Sequence, residues 1–122
     1  MLQIVFNKIS AAEISRIPTL EQLDLLGEFQ VSESMLQMLD DARFGKMEKD
    51  GKTLYRYVAK DYRIYFEVID GKVVVHRVLH ANSLNDFLFR TNISPTAGED
   101  EILSQSKHFW KLIDEGKNSS KA

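Results

Sequence analysis

The sequence predicts an α+β domain made of an N-terminal strand, a helical hairpin, a three-stranded antiparallel meander and an extra C-terminal helix. Three observations carry this. Apolar residues recur at helical spacing through the first third of the chain. From Leu54 to His80 the period becomes that of a strand, in stretches rich in Tyr, Val, Ile and Phe. Between two of these stretches stands Asp70-Gly71, a strong short-range hairpin signal.

Taken in order, Leu2-Gln3-Ile4-Val5-Phe6 alternates as a short first strand does. Ser10-Ala11-Ala12-Glu13 has capping-box spacing and opens a short helix that Pro18 ends or bends. Thr19-Leu20-Glu21-Gln22 repeats the signal, and Leu20, Leu23, Leu26 (or Leu25) and Phe29 then form an inward stripe. Ser32 opens a further helical stretch with Met35, Leu36, Met38 and Leu39 inward, a pattern more often core than binding surface. Gly45 and Gly51 bracket a polar, basic loop.

The strands are Leu54–Ala59, Tyr62–Ile69 and Lys72–His80, with Lys60-Asp61 as a second two-residue turn. Two-residue turns fix the register. Ile69 faces Lys72, and Val68, Phe66 and Ile64 face Val73, Val75 and Arg77; Tyr57 faces Ile64 and Tyr55 faces Phe66. One face then gathers Tyr55, Tyr57, Ile64, Phe66, Val68, Val73 and Val75 for packing on helices. The other carries Arg56, Val58, Arg63, Tyr65, Glu67, Val74, His76 and Val78. Beyond His80, Ser83 caps a short helix running through Arg90, and Thr91–Gly98 reads as a linker with Pro95 and Gly98 as breakers. Glu99–Glu115 forms an amphipathic helix with Ile102, Leu103, Phe109, Trp110 and Ile113 on one side, and Asn118–Ala122 is expected to fray. The organisation is thus a domain over 1–90, a linker over 91–98 and an appended helix over 99–117.

At 122 residues and 43% hydrophobic, the chain suits one globular domain. The absence of cysteine excludes disulfides and thiolate chemistry. The longest aliphatic run, Val73-Val74-Val75, is far too short to span a membrane, and Met1–Lys8 lacks signal-peptide character, so a cytoplasmic protein is expected. There is no GxxxxGK, GxGxxG or HExxH, and no cofactor or metal is expected. Charge is uneven: residues 1–42 carry two bases against seven acids, and residues 43–63 carry seven bases against three acids. Lys46, Lys49, Lys52 and Lys60 in that basic stretch are candidates for binding RNA or another anion. The plain reading is a solvated loop and strand margin, and the pI of 5.9 weighs against a protein built on phosphate contacts.

The run from Asp61 to Val75, followed by Val78-Leu79-His80 and a helix, is similar to the meander core of RelE/ParE-type toxins of toxin-antitoxin systems. The resemblance covers roughly residues 1–90, with specific motifs in 54–90. It implies a small fold that, in RelE-type members, docks in the ribosomal A site and cleaves mRNA by attack of a 2′-hydroxyl on the adjacent phosphate. On that template Arg63 matches the middle-strand arginine and Arg56 falls at a basic strand position. Both suit phosphate, being always ionised and bidentate. Tyr65 shares their face, and His76 or His80 would be proton carriers. Against these roles stand ordinary structural ones: strand histidines in hydrogen bonds, and an ion pair from Arg63 to Glu67 two positions along its face. The sequence departs from the pattern at Val58, where a second base is expected. Ala81-Asn82-Ser83-Leu84 also lacks an arginine, and Phe87 and Leu88 stand where a terminal Tyr or His would be. Two functions follow. One is a catalytically degenerate member acting in translation or RNA turnover by binding a protein (antitoxin, ribonuclease or ribosome), with Phe109, Trp110 and Ile113 as candidate partner contacts. The other is a ribosome-dependent mRNA endonuclease neutralised by an antitoxin, with ParE-type gyrase inhibition as a third option.

Overall fold

The computed structural model describes residues 1–39, 43–84 and 99–122. Strand β1 (Gln3–Phe6) precedes helices α1 (Lys8–Ser15), α2 (Thr19–Glu28) and α3 (Glu33–Gln37). Strands β2 (Phe44–Lys49), β3 (Lys52–Ala59), β4 (Tyr62–Ile69) and β5 (Lys72–His80) follow as an antiparallel meander. Residues 81–84 are helical. Helices α4 (Glu99–Ser104) and α5 (Lys107–Lys117) come last among the described elements. Strand order is β1-β5-β4-β3-β2, with β1 parallel to β5. The architecture is α+β around a five-stranded mixed sheet, and among the described residues no helix is long and apolar enough to cross a membrane.

The meander has four strands rather than three. The basic stretch read as a loop is strand β2, pairing Phe44 with Tyr57 and Lys49 with Lys52. Its turn, Asp50-Gly51, is the same Asp-Gly signal as Asp70-Gly71, and all four of these residues have positive φ, as a type I′ hairpin requires. Every pairing expected between β3 and β4 is present, and between β4 and β5 the register holds from Ile69↔Lys72 to Phe66↔Val75. There it shifts: Tyr65 faces Arg77 and Ile64 faces Val78, not Arg77, so His76 is the extra residue of a β-bulge. The bulge moves Val78 off the polar face and into the core with Val73 and Val75.

The backbone groups disturbed by the bulge are taken up by α1. Asn7 Nδ2 donates to the carbonyls of Val75 (3.0 Å) and His76 (3.1 Å), and Ser10 Oγ donates to Val75. Glu13 accepts from the Val78 amide (2.9 Å) and holds Arg77 at 2.8 Å. Ser10 is therefore not the N-cap: Asn7 caps α1, and Ser10 answers it from the third helical position. Thr19 likewise starts α2 without a side-chain cap, whereas Ser32 caps α3 as expected.

Both faces of the sheet are covered. Leu25, Phe29 and Val31 pack on the first face with Tyr57, Ile64 and Phe66. The inward stripe of α2 reduces to Leu25 and Phe29, because Leu20 and Leu23 are 78% and 62% exposed and Leu26 is also exposed. In α3 and the residues just after it, Leu36 and Leu39 touch the core while Met35 and Met38 face solvent. On the second face lie Met47, Leu54, Tyr65 and Leu79, covered by Leu84, Leu103, Phe109, Trp110 and Ile113.

The C-terminal segment is two helices, since Ser106 breaks the run and caps α5 through the Phe109 amide. The tail is not frayed: the Ser120 carbonyl accepts from Lys8 and the Ala122 amide donates to Phe6, bridging Lys121 to Asn7. Ser83 lies within the helical residues 81–84 rather than capping them. The rest of the helix expected through Arg90, and the linker 91–98, lie outside the described residues.

Candidate functional site

Strand alternation sends Arg56, Arg63 and Tyr65 to one face, as period two requires. Arg56 pairs with Tyr65 across β3 and β4 and is itself buried. Such a guanidinium needs a partner, because an isolated buried charge is costly. Helix α4 supplies it. Arg56 Nε lies 3.1 Å from both carboxylate oxygens of Asp100, and its Nη2 lies 2.8 Å from Oδ2. Arg63 Nε donates to Glu99 at 3.1 Å, while its Nη1 reaches the Lys60 carbonyl at 3.0 Å. Arg63 thus pairs with Glu99 and not with Glu67. Gly45 on β2 makes room for this arrangement, for a Cβ there would collide with the Arg56 guanidinium and lie 2.6 Å from Asp100.

Around the two pairs opens a cleft of about 770 Å³, lined by Lys46, Met47, Glu48, Arg56, Val58, Arg63 and residues 99–101. Arginines that could grip a phosphate therefore face carboxylates of the same chain. Tyr65 lies beneath, fully buried against Phe109 with ring centroids 5.0 Å apart. Its hydroxyl has no hydrogen-bond partner among the described residues. Burial pushes the phenol well above its ordinary pKa of 10.0; the Glu99 and Asp100 charges add to this, and Arg63 and Arg56 oppose it. Such a group stays protonated near neutral pH and does not serve as a base there.

The histidines sit elsewhere. His76 is buried, its Nε2 3.1 Å from Glu67 Oε1, and Lys117 of α5 meets the same oxygen at 3.3 Å. His80 stacks edge-on against Tyr62, and its Nδ1 accepts from the Asn82 amide. Among the described residues neither histidine lines the cleft. The four candidate lysines do not converge either. Lys46 lies 3.7 Å from Glu48, Lys60 lies 3.7 Å from Asp24, and Lys49 sits over the Trp110 ring at 5.1 Å. Lys52 borders a separate hollow with Lys49 and Lys117. Phe109, Trp110 and Ile113 are packed on their own sheet. The described residues contain no group of three or more His, Asp or Glu that could hold a metal ion.

What sequence reasoning missed is the carboxylate pair, Glu99 and Asp100, and the outward apolar residues of α2. The first had a signal: three consecutive acids in a segment whose apolar side matches the strand face bearing the arginines. Comparison with protein-family models, curated proteins and solved structures finds no match to this chain.

Proposed function

We propose that this chain is a RelE/ParE-like protein acting in translation or RNA turnover by binding a protein partner, with its basic strand face neutralised from within. The observation that supports this most is the pairing of Arg56 with Asp100 and Arg63 with Glu99. A nuclease of this type needs arginines available to a phosphate whose charge grows in the transition state. Here carboxylates already hold those donors, Tyr65 is a buried neutral phenol, and no histidine lines the cleft among the described residues. The exposed Leu20 and Leu23, three residues apart on α2, support the partner-binding half of the reading, because neighbouring exposed apolar side chains commonly mark contact surfaces. The partner classes are an antitoxin, a ribonuclease or the ribosome.

A second reading is a ribosome-dependent mRNA endonuclease that an antitoxin neutralises. It is favoured by one observation: Arg56, Arg63 and Tyr65 share a face beside an open cleft. One experiment separates the two. The full chain is added to a translating extract and mRNA ends are mapped by primer extension, with Arg63→Ala and Asp100→Asn alongside. Intact message at high protein concentration is expected for the wild type. Codon-specific cleavage by the wild type that vanishes in Arg63→Ala would establish the nuclease and overturn the binding reading.

A further inference from the structure

Helix α2 presents Leu20, Leu23 and Leu26 to solvent on a regular three-residue spacing, where leucines of an amphipathic helix would ordinarily be buried. They are surplus to the core, which takes only Leu25 and Phe29 from this part of the chain. Over its ten residues α2 carries Glu21, Asp24 and Glu28 and no base. Beside it, a small slot of about 30 Å³ lies between α2 and the β3–β4 turn, bordered by those three acids and Asp61; its one basic side chain, Lys60, lies 3.7 Å from Asp24 at the surface and leaves Glu21, Glu28 and Asp61 in excess. That volume suits a single ammonium or guanidinium tip. Tyr62 at the same slot has its pKa raised by burial and then by the Glu21 and Asp61 charges.

From this charge complementarity we infer that the α2 ridge docks a basic amphipathic helix of a partner protein, whose apolar residues cover Leu20 and Leu23 and whose lysine or arginine enters the acidic slot. The inference rests on the partner-binding reading and names the partner's chemistry. A second copy of the chain docked α2 to α2 would set three acids against three acids, which like-charge repulsion disfavours. Docking of an amphipathic helix through apolar anchors at such spacing is a common mode of protein recognition, and flanking charges set its specificity.

The test uses two synthetic amphipathic peptides with identical leucine spacing, one flanked by lysine and arginine and one by glutamate. Each is titrated into the isotope-labelled full chain while amide shifts are followed. The basic peptide is expected to saturate with shifts centred on α2, to bind at least about tenfold more tightly than the acidic one, and to lose at least about tenfold with Leu23→Ser. Glu21→Lys combined with Asp24→Lys is expected to reverse the preference. Equal binding of both peptides, no binding of either, or a charge-reversed chain that still prefers the basic peptide would each overturn the inference. So would concentration-dependent dimerisation, seen by sedimentation and lost in Leu23→Ser. None of these outcomes bears on mRNA cleavage in the extract, so failure here is distinct from failure of the binding reading.

Discussion

His76 shows how one inserted residue reorganises its surroundings. As the extra residue of the β5 bulge it is buried on the side facing α5, with Nε2 on Glu67 and Nδ1 without a partner among the described residues. Burial lowers its pKa from the ordinary 6.5. The hydrogen bond and charge of Glu67 work against this, Lys117 adds to it, and Asp114 opposes it. A histidine whose folded pKa lies below its unfolded value binds protons more readily in the unfolded chain. Stability is therefore fully present above about pH 6.5 and is lost as pH falls below that value. Denaturant midpoints measured from pH 8 to pH 5.5 are expected to fall on the acid side, and the fall is expected to flatten in His76→Gln. An unchanged pH dependence in that variant would assign the loss to other groups. Side-chain alternation placed His76 on the correct face in the sequence. The bulge itself carried no such signal, because its backbone groups are satisfied by Asn7, Ser10 and Glu13 from more than sixty residues away.

Helix α4 is only six residues long, too short to persist by propensity, so its position rests on what it docks against. Leu103 enters the second core cluster and Ile102 is also buried, while Asp100 and Glu99 hold the arginines. Asp100→Asn is expected to cost about 2–3 kcal/mol, because it removes the Asp100 charge from the buried Arg56. Hydrogen exchange across α4 should accelerate in that variant. Replacing both partners, as Arg56→Met with Asp100→Leu, is expected to stay within about 1 kcal/mol of the wild type, as apolar substitutes for buried ion pairs commonly do. Equal losses in the single and double variants would mean that the pair does not secure the helix. The strands from β3 to β5 were legible because Tyr, Val and Ile runs and Asp-Gly turns act locally. Strand β2 was not, because Gly45, Lys46, Glu48 and Lys49 dilute its pattern, although Asp50-Gly51 signalled a hairpin. The outward turn of Leu20 and Leu23 was illegible for the opposite reason: period alone says which residues share a face, not which way that face points.

Across the whole molecule, Asn7 is where the two ends of the chain meet. Its Nδ2 donates to Val75, His76 and Gly116, and its Oδ1 accepts from the Ser10 amide, so β5, α1 and α5 converge on one side chain. Gly116 is required there, since a Cβ would collide with the His76 carbonyl. At an ordinary N-cap, Asn and Asp are interchangeable. Here Asn7→Asp sets a carboxylate against three carbonyls and is expected to lose about 3 kcal/mol, read as a lowered unfolding midpoint. A midpoint matching the wild type would show that capping is its main role. The arginines of the candidate site and their sheet face were visible in the sequence; their carboxylate partners, 44 and 36 residues further along, were not. That separation has a consequence in time. Strands β2 to β5 pair with sequence neighbours and close through short turns, so they assemble early. The 20 residues from Ala81 to Asp100 take roughly 1–4 s to synthesise at ~5–20 residues per second. For that interval Arg56 and Arg63 have yet to meet the carboxylates of Asp100 and Glu99, whose arrival completes the two ion pairs.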